Sequence, residues 1–160
     1  MDHLWSPWRM KYIQQHEPSG GCVFCAAPRA ARDGPENLVL YRAEHSYVIL
    51  NAYPYSNGHL LVVPYVHHPT LEDLGKDVRG EMMELVNQAM CVLRSVYHPE
   101  AFNLGANIGA AAGAGIAAHV HIHVLPRWAG DTNFMSTIGQ TRVIPEELPE
   151  TYRRLREAWK

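Results

Sequence analysis

An α+β fold with a mostly antiparallel sheet follows from three features of the sequence. Short β-favouring runs come in succession, one long stretch has helical apolar periodicity, and a later segment alternates histidine with aliphatic residues. Strands before and after one main helix imply helices packed on an antiparallel sheet. The length of 160 residues predicts a single domain, 1–160.

The elements run in this order. Residues 1–21 carry Trp5, Trp8 and Tyr12 and end in Ser19-Gly20-Gly21, which reads as an N-terminal arm that packs against something. Ala26 to Asn37 is rich in Ala, Arg, Gly and Pro and reads as a loop. Leu38–Tyr41, Tyr47–Leu50 and Leu60–Val63 are predicted strands. The turn signal Ser56-Asn57-Gly58 makes an antiparallel hairpin of the last two. Asp77 to Tyr97 is the main helix, with Met82, Leu85, Val86, Ala89, Val92, Leu93 and Val96 on one stripe. Asp77 is its expected cap and Pro99 its stop; Cys91 is assigned to the core. Phe102 to Asn107 reads as a strand, followed by the small-residue loop from Gly109 to Gly115 and the segment His119 to Leu125. A C-terminal extension, about 129–160, ends in a second helix with Tyr152, Leu155 and Trp159 at helical spacing.

Composition narrows the function. A chain 47% hydrophobic and 19% charged is that of an ordinary globular protein. Its formal net charge is -2 and it has no cationic run, which argues against a nucleic-acid partner. No apolar run reaches the roughly 20 residues of a membrane span. The start of the chain lacks the pattern of a secretory signal. Three cysteines are too few for a disulfide scaffold, so a cytoplasmic protein with reduced thiols is expected.

Histidine is the compositional excess, with 10 residues. His119, His121 and His123 alternate with Val120, Ile122 and Val124. On a strand, residues two apart share a face, so three imidazoles would line one side at roughly 6.6 Å spacing. Such a row can be a solvent face, a chelating strand or a catalytic surface. A neutral imidazole has an ordinary pKa near 6.5 and is a good nucleophile at neutral pH. Cys22-Val-Phe-Cys25 is a second motif; the pair reads as redox-active, as core, or as metal-binding.

The segment His119-Val-His-Ile-His-Val-Leu125 resembles the signature of the histidine triad (HIT) family. Asn51, His59-Leu-Leu-Val-Val-Pro64, His67, the small-residue loop and Pro126-Arg127-Trp128 occur in matching order. Leu4-Trp5-Ser6-Pro7-Trp8-Arg9-Met10 and Asn133-Phe134-Met135 are similar to the bacterial branch that includes diadenosine tetraphosphate phosphorylases.

The resemblance implies a HIT-like fold and a nucleotide hydrolase or nucleotidyltransferase. His121 would attack the α-phosphorus and carry the nucleotidyl group. His123 would hydrogen-bond the phosphate, with His59 beside them. Asn51 would bind ribose, and Asn107, Gly113, Gly115 and Ile116 would border the phosphate. Glycine loops let amides approach phosphate oxygens, and fixed donors stabilise developing charge. No catalytic metal is required by this scheme. Many family members place Ser or Thr three residues before the first triad histidine; here that position is Ile116, so one hydroxyl donor is missing. The resemblance also implies structural zinc on Cys22, Cys25, His67 and His119, with His68 an alternative to His67, and a homodimer with a continuous sheet. A closed Cys₂His₂ set satisfies tetrahedral zinc. Trp128 reads equally as a base-stacking or a packing residue, and Arg127 as a phosphate contact or a surface charge. His3, His16, His45 and His98 read as incidental. The competing function is a zinc-stabilised nucleotide-binding or scaffold protein with negligible turnover.

Overall fold

The computed structural model describes residues 21–131 and 144–159. The arm with Trp5, Trp8 and Tyr12, His3 and His16, and the Asn133-Phe134-Met135 stretch lie outside the described residues. Among the described residues five strands form one sheet: β1 (Val39–Arg42), β2 (Ser46–Leu50), β3 (Leu60–Pro64), β4 (Ala101–Gly105) and β5 (Ile122–Arg127). Their order is β1-β2-β3-β5-β4, and every neighbouring pair is antiparallel. The helices are α1 (Val23–Ala26), α2 (Lys76–Tyr97) and α3 (Leu148–Ala158). Among the described residues no helix is long and apolar enough to cross a membrane.

Alternation along β3 builds two cores. Leu60 and Val62 join Met82, Leu85, Val86, Ala89 and Leu93 of α2 in the main core, together with Val120, Val124, Tyr152, Leu155 and Trp159. Leu61 and Val63 point the other way, with Phe24, Val39, Tyr47 and Ile49. α3 closes the β1 end: the Tyr152 hydroxyl donates to the Val39 carbonyl at 3.0 Å, and Trp159 stacks on Tyr41 at 5.7 Å.

Several expectations change. Asp77 is not the cap of α2; Gly75 holds that position without a side-chain bond, and Asp77 sits in the first turn, where its charge favours the helix dipole. Cys91 is exposed rather than in the core. It falls between Ala89 and Leu93 in sequence, and residues two apart on a helix face nearly opposite ways. β4 ends at Gly105, before Asn107. The stretch from Ala26 is not wholly a loop, since Ala26 ends α1 and Ala27–Arg29 form a 3₁₀ turn. Only the second half of the histidine segment is strand, because β5 begins at Ile122.

The hairpin turn is placed by Gly58. Its φ is +73°, and a Cβ there would lie 2.9 Å from Leu93 Cδ2 and 3.4 Å from the Tyr97 ring. Only glycine meets both demands, the left-handed backbone and the close approach to α2. His59 follows directly and is thereby seated at the start of β3.

Candidate active site and metal cluster

β5 pairs His123 with Leu61 on one side and Gly105 on the other. Residues directly opposite in a sheet share a face, so His123 lies on the face away from α2. Val124 points into the main core. The His121 and His123 rings lie 4.9 Å apart, and His59 and His123 5.1 Å apart. All three are buried. Among the described residues, a Cβ built on Gly105, the β4 partner of His123, would meet nothing within 4 Å.

Hydrogen bonds assign the tautomers. The backbone N–H of Tyr55 donates to His59 Nδ1 at 3.2 Å, and Asn51 Nδ2 donates to the same atom at 3.1 Å. Asn51 Oδ1 accepts from the Tyr53 amide at 3.0 Å, which sets the orientation of the Asn51 side chain. A backbone amide can only donate, so neutral His59 holds its proton on Nε2. His59 Nε2 then donates to His123 Nδ1 at 2.9 Å. Neutral His123 therefore carries its own proton on Nε2 and is a hydrogen-bond donor there. His121 has the opposite polarity. Its Nδ1 lies 2.9 Å from the His119 carbonyl, which can only accept. The proton sits on Nδ1, and Nε2 bears the lone pair. Burial pulls the His121 imidazole below its ordinary pKa, and the bond to that carbonyl opposes the shift. The site thus pairs an unprotonated nitrogen with a neighbouring N–H donor.

His119 belongs to a different cluster. Its Nε2 donates to the Pro64 carbonyl at 2.8 Å, which leaves the lone pair of Nδ1 facing Cys22 Sγ at 3.4 Å and Cys25 Sγ at 3.6 Å. His67 Nδ1 lies 3.3 Å from Cys25 Sγ. The donor atoms of Cys22, Cys25, His67 and His119 all fall within 4.8 Å of one another. Tetrahedral bonds of about 2.3 Å to sulfur and about 2.0 Å to nitrogen separate ligand atoms by about 3.5 Å. The four residues can therefore hold a metal ion, and the grouping contains His67 rather than His68. His68 contributes its carbonyl, which accepts from the Val120 amide at 2.7 Å. Burial, then the neighbouring Cys22, hold the Cys25 thiol above its ordinary pKa; a bound cation reverses that sign. Burial likewise lowers His119, against the Pro64 carbonyl.

The remaining predicted residues sit at the margins. Asn51 is half-buried and its amide is engaged within the turn. Asn107 lies just beyond Gly105, the β4 partner of His123. Gly113 has φ +83° at the end of a 3₁₀ turn. Gly115 is exposed, while Ile116 packs against the second core. The Trp128 indole donates to the Tyr97 carbonyl at 3.4 Å, at the end of α2. Arg127 pairs with Asp131 at 2.6 Å and also bonds Asn103. Two residues escaped sequence reasoning. Tyr55 stacks on His123 at 5.9 Å, and Phe24 touches both His119 and His121. The apolar interior of the CxxC motif was the one available signal for Phe24.

The HIT domain model matches residues 34–130. An AP-4-A phosphorylase from Mycobacterium tuberculosis is 39% identical, over 99% of this chain and 85% of its own length. An adenylylsulfatase from Arabidopsis thaliana is 35% identical over 69% of this chain and 57% of its own. A Zn-bound histidine triad family protein from Mycobacterium smegmatis superposes with a TM-score of 0.70 at 28% identity, covering 89% of this chain and 95% of that one.

Proposed function

From the premise that the chain belongs to the histidine triad family, we propose that it cleaves dinucleoside polyphosphates through a nucleotidyl-histidine. The carrying observation is the His121 tautomer: Nδ1–H held by the His119 carbonyl, with the lone pair on Nε2. With diadenosine tetraphosphate, Nε2 attacks an α-phosphorus, the bridging P–O bond breaks, and ATP leaves. AMP remains on His121 as a phosphoramidate. The His123 Nε2–H donates to the phosphoryl oxygens as charge develops. In the second step phosphate or water attacks the same phosphorus, the P–N bond breaks, and ADP or AMP departs. The 39% identity to a phosphorylase over nearly the whole chain favours phosphate as acceptor. Asn51, Asn107, Gly113, Gly115, Ile116 and Trp128 border the nucleotide in this reading.

Cys22, Cys25, His67 and His119 are the ligands of a structural zinc. Bound there, the metal ties the α1 turn to the histidine segment; it takes no part in the two displacements. Both thiols are arranged for a metal, in keeping with a reducing cytoplasm. The chain pairs with a second copy through β4, an edge strand with an exposed face that carries Leu104 and leads into exposed Ile108.

Product analysis with labelled inorganic phosphate tests the proposal. Label in ADP is expected, with turnover abolished in His121→Ala while nucleotide still binds. AMP alone at saturating phosphate makes the protein a hydrolase. Near-normal turnover by His121→Ala refutes the covalent mechanism, and no turnover of any nucleotide by the wild type favours the binding-protein alternative.

A further inference from the structure

We propose that Phe24 is a positioning residue for His121, carrying the order of the Cys22–Cys25 turn into the reacting imidazole. This rests on His121 being the nucleophile. The Phe24 ring lies 4.8 Å from the His121 ring at 54° and 5.6 Å from the His119 ring at 77°. Its side chain is buried in the second core with Leu61 and Val63. The turn that contains it is closed by the amides of Cys25 and Ala26, which donate to the Cys22 carbonyl at 3.1 Å, and the buried Tyr47 hydroxyl donates to the Phe24 carbonyl itself at 2.7 Å. Phe24 therefore cannot move without disturbing the turn that presents both sulfurs.

His121 needs such a wall. Its polar restraint among the described residues, from Nδ1 to the His119 carbonyl, is a single axis about which the ring can rock. A buried aromatic face against the imidazole adds a second constraint and excludes water from that side. In-line attack depends on this aim, and a misplacement of about 1 Å in a reacting group costs about 10²-fold in rate.

The test uses the full chain as purified, with Phe24→Leu and Phe24→Ala. Metal content, AMP affinity, single-turnover labelling of His121 by diadenosine tetraphosphate, and the ring ¹⁵N signals of His121 are measured. Expected are unchanged metal content and AMP affinity within about twofold. Labelling slows by about 10²-fold in Phe24→Ala and less in Phe24→Leu, and both tautomers of His121 become visible. Wild-type labelling rates and a single His121 tautomer in both variants overturn the proposal. So does a slowing that follows metal loss and is fully reversed by refilling. If Phe24→Ala does not fold, Phe24→Leu alone carries the comparison. Absence of any label on wild-type His121 defeats the nucleophile assignment instead, and the ¹⁵N signals then decide whether Phe24 orders the ring.

Discussion

Replacing His59 with phenylalanine separates the hydrogen-bond relay from the proposed nucleophile, His121. His59 is fully buried, and its two ring nitrogens connect three groups: the Tyr55 amide, the Asn51 amide and His123 Nδ1. Phenylalanine fills the space and can bond none of them. Each buried polar group left without a partner costs about 1–3 kcal/mol. Asn51 and Tyr55 are half-buried, so water can relieve them, whereas His123 is buried. A stability loss at the lower end, about 2–3 kcal/mol, is therefore expected from chemical denaturation. The kinetic effect is larger. Without the His59 donor at His123 Nδ1, the preference for a proton on Nε2 weakens, and the N–H proposed to face the phosphoryl group is lost from that fraction. Loss of one preorganised donor costs about 10²–10³ in kcat. Steady-state assays on diadenosine tetraphosphate should show kcat reduced by that amount with KM little changed. His59→Gln should recover part of it, because its amide can still donate towards His123. A kcat within twofold of wild type for His59→Phe, or a change confined to KM, refutes the tautomer assignment.

Other outcomes follow from the same geometry. Burial lowers the His121 pKa, so the reactive neutral ring persists below its ordinary 6.5 and is lost as pH falls through the depressed value; the acid limb of the kcat/KM profile for the metal-loaded protein should lie below pH 6.5. Metal analysis should find about one zinc per chain, and Cys22→Ser should lose it along with thermal stability, consistent with a closed four-ligand site. Glu81 accepts from the buried Ser46 hydroxyl at 2.5 Å and from the amides of His45 and Glu44. Glu81→Gln should destabilise the β1–β2 turn by about 1–2 kcal/mol in urea unfolding, with activity retained.

Period two and period 3.6 were readable because burial enforces them. The three predicted strands before α2 and the stripe on α2 fall within a residue or two of the observed elements. Cys22, Cys25, His67 and His119 converge although the CxxC pair is separated from His119 by most of the sheet. What stayed hidden depends on which partner wins a contact. Asp77 has the chemistry of a cap, but the chain enters α2 two residues earlier, at Gly75. Tyr55 acts through a backbone amide, which no residue type announces. Phe24 looks like any core aromatic until the sheet brings His121 against it.

The division of the triad shows how one residue separates two sites. Alternate residues of β3 bond to β2 and to β5. The bonds from the Asn51 amide to the His59 carbonyl and from the Tyr65 amide to the His45 carbonyl assign the odd positions of β3 to β2. Positions 60, 62 and 64 therefore face β5, paired with Val124, Ile122 and, in continuation, Val120. Proline at position 64 has no amide hydrogen for that last pair. The ladder stops at Ile122, and the Val120 amide turns to the His68 carbonyl instead. The Pro64 carbonyl is left for the His119 ring. That bond holds the proton on His119 Nε2 and commits Nδ1 to the cysteines, while the main-chain carbonyl of His119 orients His121. An uninterrupted strand would have set three equivalent imidazoles on one face. The proline turns the first towards the cysteines and leaves the second and third beside each other, where the proposed mechanism uses them as nucleophile and donor.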